Sequence, residues 1–148
     1  TTSNGGFFDF PISGSGSSKT FNNPATFGTS GPGQLGFCEG LALDGAGNIY
    51  AGDYSNGRIV KYNSSGVYQM AATLVSSGLP RGDVVDSNGY IYAIDFLNGE
   101  IQVFNPAGAP ATQFGKGDFV LPYGIAMDSS ENIYVSDFGG QVVIFRRN

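Results

Sequence analysis

Gly40-Leu41-Ala42-Leu43-Asp44, Gly82-Asp83-Val84-Val85-Asp86 and Gly124-Ile125-Ala126-Met127-Asp128 follow one another at steps of 42 residues, and this repetition decides the fold. A second element keeps the same register. It reads Asn48-Ile49-Tyr50-Ala51-Gly52-Asp53, Tyr90-Ile91-Tyr92-Ala93-Ile94-Asp95 and Asn132-Ile133-Tyr134-Val135-Ser136-Asp137. The third element is Gly57-Arg58-Ile59-Val60-Lys61-Tyr62, Gly99-Glu100-Ile101-Gln102-Val103-Phe104 and Gly140-Gln141-Val142-Val143-Ile144-Phe145; its last copy has lost one residue before the glycine. Each element is a short run of β-branched and aromatic residues bounded by Gly, Asn, Asp or Ser, the pattern of strands joined by tight hairpins. Asn56-Gly57, Asn88-Gly89 and Asn98-Gly99 supply the turn chemistry. A fourth strand is predicted near Val67–Thr73 and again at Ala111–Phe114. Four antiparallel strands in about 40–45 residues make one blade of a β-propeller.

The repeat also resembles a known family. Pro122-Tyr123-Gly124-Ile125-Ala126-Met127-Asp128, then Asn132-Ile133-Tyr134-Val135-Ser136-Asp137, then the third strand from Asn98 to Phe104 follow the pattern of NHL repeats. The resemblance covers residues 40 to 145 and leaves the first 39 out. It implies an all-β propeller. It implies no single activity, because the family includes RNA-binding, protein-binding, sensor and lyase members. One departure is the hairpin before the third strand, where the family often has Asn-His-Arg and this chain has Asn56-Gly57-Arg58.

Composition narrows the classes. The chain has 148 residues, 24 of them glycine and 7 proline; 41% are apolar and 13% charged, which argues for a packed core and against disorder. The formal net charge of −5, with seven Lys and Arg, provides no basic face for nucleic acid or an anionic membrane. Arg146-Arg147 reads as a solvated end. No apolar stretch approaches a transmembrane helix, and no charged-then-apolar leader is present. The opening Thr1-Thr2-Ser3 reads as a processed end or the edge of a piece of a longer chain. We expect a secreted, extracellular or periplasmic protein. Cys38 is the only cysteine, so no disulfide forms within the chain, and it reads as a small hydrophobe.

The strand count does not close. The units run 40–81, 82–123 and 124–148, preceded by an N-terminal arm at 1–39, and the third unit stops before its outer strand. Pro24-Ala25-Thr26-Phe27-Gly28 resembles Pro110-Ala111-Thr112-Gln113-Phe114-Gly115 of the second unit's fourth strand. That makes it a candidate to complete the third blade, in trans, because known rings have about four to eight blades. Two chains exchanging strands would make a six-bladed ring; head-to-tail donation would make a fibre. The chain as a fragment of a six-bladed enzyme of the lactonase or lyase type is the third possibility. Phe7, Phe8, Phe10, Phe21 and Phe27 are the apolar residues of the self-assembly arm, and Ser13–Ser18 is its tether.

Candidate site residues come from positions that recur in geometry and differ in chemistry. Glu39, Arg81 and Tyr123 each precede the glycine of a first strand and are expected to ring the channel mouth. Arg58, Glu100 and Gln141 form a second variable set. A protein or a glycan is the expected ligand class at this propeller face. The recurring aspartates, Asp44, Asp86 and Asp128 with Asp53, Asp95 and Asp137, read as turn acceptors in preference to a cation site. Arg81-Gly82-Asp83 spells an integrin tripeptide by coincidence of the repeat, and Asn63-Ser64-Ser65 is a glycosylation sequon that a hairpin turn already explains. No histidine exists, which removes a His-ligated zinc, a Ser-His-Asp triad and the metal site that the resemblance implies for amidating lyases. A carboxylate-only lactonase site survives that test. The expectation is therefore a non-catalytic structural or binding protein, with no catalytic residues, metal or cofactor.

Overall fold

A computed structural model describes residues 25–148. The expectations for Phe7, Phe8, Phe10 and Phe21 lie outside the described residues. The chain forms three antiparallel sheets. The first is β1 (Cys38–Leu43), β2 (Ile49–Asp53), β3 (Arg58–Tyr62) and β4 (Tyr68–Thr73). The second is β5 (Pro80–Val85), β6 (Ile91–Asp95), β7 (Glu100–Phe104) and β8 (Pro110–Phe114). The third has β9 (Pro122–Met127), β10 (Ile133–Asp137) and β11 (Gln141–Phe145), and no fourth strand among the described residues. Strands within each sheet are paired in chain order, as consecutive hairpins require. Gly57, Gly99 and Gly140 stand at φ of 62°, 63° and 80° just ahead of β3, β7 and β11, a conformation that only glycine enters without strain.

The sheets stack face to face. β5 lies against both β1 and β9, so the first strands adjoin and the sheets fan outward from them, as blades do. Between the first two sheets, Tyr50, Ile59, Ala72 and Leu74 meet Ile91, Ala93 and Phe104. Between the second and third, Ile94 and Ile101 meet Ile133 and Val135, with Ile125, Met127 and Phe145 packed against them. A third cluster lies on the far side of the first sheet, where Ala51, Val60 and Tyr62 are covered by Leu35. Residues 25–28 form no strand beside β11. They lie on the first sheet instead, with the Phe27 ring 4.9 Å from that of Tyr62. No helix among the described residues is long and apolar enough to cross a membrane.

Candidate functional site

Each first strand carries a bulge at its start. The ladder skips between Cys38 and Gly40, between Pro80 and Asp83, and between Pro122 and Gly124. A bulge leaves the extra residue unpaired and re-aims its side chain. The residues skipped include Glu39, Arg81 and Tyr123, the set singled out by sequence. The structure brings these three together. Arg81 Nη1 lies 3.2 Å from Glu39 Oε2. Its guanidinium carbon lies 4.1 Å from the centre of the Phe96 ring, 4.5 Å from that of Tyr123 and 5.4 Å from that of Tyr54. Cation–π contact and ion pairing thus hold one arginine across three blades.

Tyr54, Phe96 and Phe138 complete this rim and escaped sequence reasoning. They stand one residue after Asp53, Asp95 and Asp137 at the same 42-residue step, a signal that was open to reading. Phe138 meets Tyr123 edge-on at 5.4 Å, and Phe37 meets Tyr54 at 6.3 Å. Phe37, Tyr123 and Phe138 are all exposed, which gives the rim an apolar, aromatic surface around one charge pair.

One layer along the strands lies Asp83. A Cβ on Gly40 would come 2.8 Å from its Oδ1, so the carboxyl is seated against the neighbouring blade's glycine. Asp83 is 4% exposed, and neither carboxyl oxygen has a hydrogen-bond partner. Burial pushes its pKa up to about 8. Its counterparts in the repeat are Leu41 and Ile125, both hydrocarbons. The Nε of Arg81 is likewise buried without a partner. A cleft of about 310 Å³ runs between Val75 and β8.

The second variable set stays dispersed, each member beside the aspartate of its own blade. Arg58 Nε donates to Asp53 Oδ2 at 3.0 Å and Gln141 Nε2 to Asp137 Oδ2 at 3.1 Å. Glu100 faces Asp95 in the ladder, and Gln102 Nε2 bridges the two at 2.7 Å from Asp95 and 3.4 Å from Glu100.

The recurring aspartates are occupied by their own blades. Asp44 accepts the backbone N–H of Ala46 and Asn48, and Asp128 that of Ser130 and Asn132. Burial opposes the charge on Asp44, yet the bonds from Asn48, Ala46 and Tyr50 outweigh it and hold the carboxyl below its usual range. The Asn132 amide does the same for Asp128. Asp53, Asp95 and Asp137 clamp the incoming segment: Gly36, Leu79 and Leu121 each donate a backbone N–H to them. Among the described residues, no group of three His, Cys, Asp or Glu side chains converges as a metal site.

No protein-family model and no curated protein matches the chain. Solved structures do, and they are β-propellers. A streptogramin B lyase matches at 15% identity and a TM-score of 0.57, over 74% of this chain and 40% of that one. A gluconolactonase from Xanthomonas campestris matches at 17% and 0.61, over 76% and 39%. YCF48 bound to D1 peptide matches at 11% and 0.62, over 75% and 37%. The chain thus spans about 40% of the length of these proteins, and the likeness is one of fold. It establishes an all-β propeller architecture at a level coarser than the NHL pattern. It also corrects one expectation. The lack of histidine pointed to a non-catalytic protein, but a lyase and a lactonase are among the propellers that the chain resembles. The absence of histidine removes histidine-dependent chemistry alone and leaves a carboxylate site open.

Proposed function

We propose that the chain contributes NHL-like blades to a propeller enzyme of the lactonase or lyase type, with the substrate held at the aromatic rim. The observation that carries this reading is Asp83. An unpartnered buried carboxyl costs about 1–3 kcal/mol, where the two sibling positions spend nothing on a polar group. With a pKa near 8 the group is a carboxylic acid at neutral pH, suited to proton transfer. In lactone opening, the oxygen of water bonds to the carbonyl carbon and the ring C–O bond breaks. The leaving oxygen takes the proton of Asp83, and Asp83 recovers the proton that water gives up. Arg81, with its Nε free, faces the charge that develops on the carbonyl oxygen. The rings of Tyr54, Phe96, Tyr123 and Phe138 supply an apolar seat.

The test is turnover of a panel of aliphatic γ- and δ-lactones followed by proton release. The expected result is ring opening whose kcat falls as pH rises through about 8, together with a loss of at least about 100-fold in Asp83→Asn. Wild-type turnover in Asp83→Asn, or no turnover of any lactone, overturns the reading.

A further inference from the structure

Residues 25–28 form no strand, yet they contact the first sheet as an outer strand contacts the sheet of the next blade. In the second sheet, β8 ends on Phe114, whose ring meets Phe145 of the next blade at 4.9 Å and 72°. Gly115 follows at φ 80°, and a Cβ there would strike Phe119 and come 3.2 Å from Phe145. On the first sheet the same set of contacts recurs. Phe27 meets Tyr62, the counterpart of Phe145, at 4.9 Å and 56°. Gly28 follows at φ 73°, and a Cβ there would lie 2.9 Å from the Tyr62 hydroxyl and 3.0 Å from Leu35. Residues 25–28 therefore stand to the first blade as residues 111–115 stand to the third.

The chain also carries the two halves of a blade junction on opposite ends of its stack. Inside the chain, Ile125 and Met127 of β9 pack against the cluster that Ile94 and Ile101 of the second sheet share with Ile133 and Val135 of the third. The counterparts of the first pair are Leu41 and Leu43, exposed to 71% and 68%. Those of the second pair are Ser136 and Val142, and Val142 is 62% exposed. Ser136 is small, and its hydroxyl already accepts the Gly124 N–H at 3.0 Å, so a leucine can cover it without stranding a polar group. Tyr123 and Glu39 complete the match. Glu39 pairs with Arg81 and Arg81 with Tyr123, so one further step brings a phenol donor to a carboxylate. The open edge of β11 needs a fourth strand, and residues 25–28 need a third to pair with.

We propose that the partner of both open ends is a second copy of this chain. The third sheet of each copy slots beneath residues 25–28 of the other, and its outer face buries Leu41 and Leu43. Two such junctions, related by a twofold axis, close six blades into a ring. The two ends cannot meet within one chain, because two blade junctions separate them. Each copy spans about 40% of the streptogramin lyase propeller, so two copies make up the larger part of one.

Light scattering on the full chain tests this. The expected mass rises to twice the chain mass of 15.4 kDa and goes no higher as concentration increases. L41R/L43R alone and V142R alone each fall to half that mass with the β-sheet circular dichroism kept. Mixed, they regain the double mass, since each retains the surface the other has lost. A monomeric wild-type chain, which would leave the open ends to further blades of a longer protein, overturns the proposal. So do arginine variants that stay paired, a mixture that stays monomeric, or a mass that climbs past twice the chain mass as a fibre's does.

Discussion

β7 and β11 are the same third strand written twice and buried differently. Glu100–Phe104 is buried at every residue, whereas no residue of Gln141–Phe145 reaches that state. Both runs end on β-branched residues and a phenylalanine, and both pair with the second strand of their own sheet. The difference comes from what stands on either side. β7 has β8 at its edge, the first sheet on one face and the third on the other; β11 has β10 alone and one covered face. A blade's strand pattern is local, but its burial belongs to its neighbours.

The largest test of that contrast is a pair of truncations at one repeat position. Ile101→Ala should cost about 2–5 kcal/mol in chemical denaturation, the range for a filled core site. Val142→Ala in the monomeric L41R/L43R background should stay within about 0.5 kcal/mol, the range for a surface site. Equal losses would break the comparison. Next comes Asp95, which accepts the backbone N–H of Leu79 and Asn98 and the side-chain amides of Asn98 and Gln102. Asp95→Ala should cost about 3 kcal/mol by leaving those donors unpaired in the core.

Asp83 sharpens the contrast between the same two sheets at their first strands, since Ile125 holds its place in the third. The folded carboxyl titrates near 8 and the unfolded one near the ordinary value of about 4. Between those values the folded state binds more protons, so stability falls as pH rises from about 4 to about 8 and levels off beyond. Asp83→Leu should remove that slope and raise stability at pH 8 by on the order of 1–3 kcal/mol. A wild-type stability curve that is flat across this window would count against the buried acid. The smallest effect should be the same in both sheets. Asp86 and Asp128 serve turns closed by their own backbone, so Asp86→Ala and Asp128→Ala should lower the melting temperature by similar small amounts. For Asp128, whose pKa the Asn132 amide lowers, the contribution is present above the ordinary carboxylate range and lost as pH falls below it.

The strands and their hairpins were legible because each rests on a period that the residues repeat. The clustering of Glu39, Arg81 and Tyr123 was legible for the same reason, as chemistry varying at one fixed place. Tyr54, Phe96 and Phe138 are equally periodic, each one residue beyond a recurring aspartate. Asp83 was hidden inside a coincidental tripeptide, and nothing in its neighbours along the chain marks it as buried. Phe27 was expected to complete the third blade of another copy; within its own chain its ring lies on the first sheet.

By itself the sequence determined the unit: a set of strands that recurs three times at steps of 42 residues. Strand pairing and turn geometry depend on residues close along the chain, so a repeat in one is a repeat in the other. Only the tertiary structure decided which faces are covered, which carboxyl is stripped of water and where the free edge lies. Those properties arise where one blade meets the next, among residues about one repeat apart, and desolvation there depends on both partners at once.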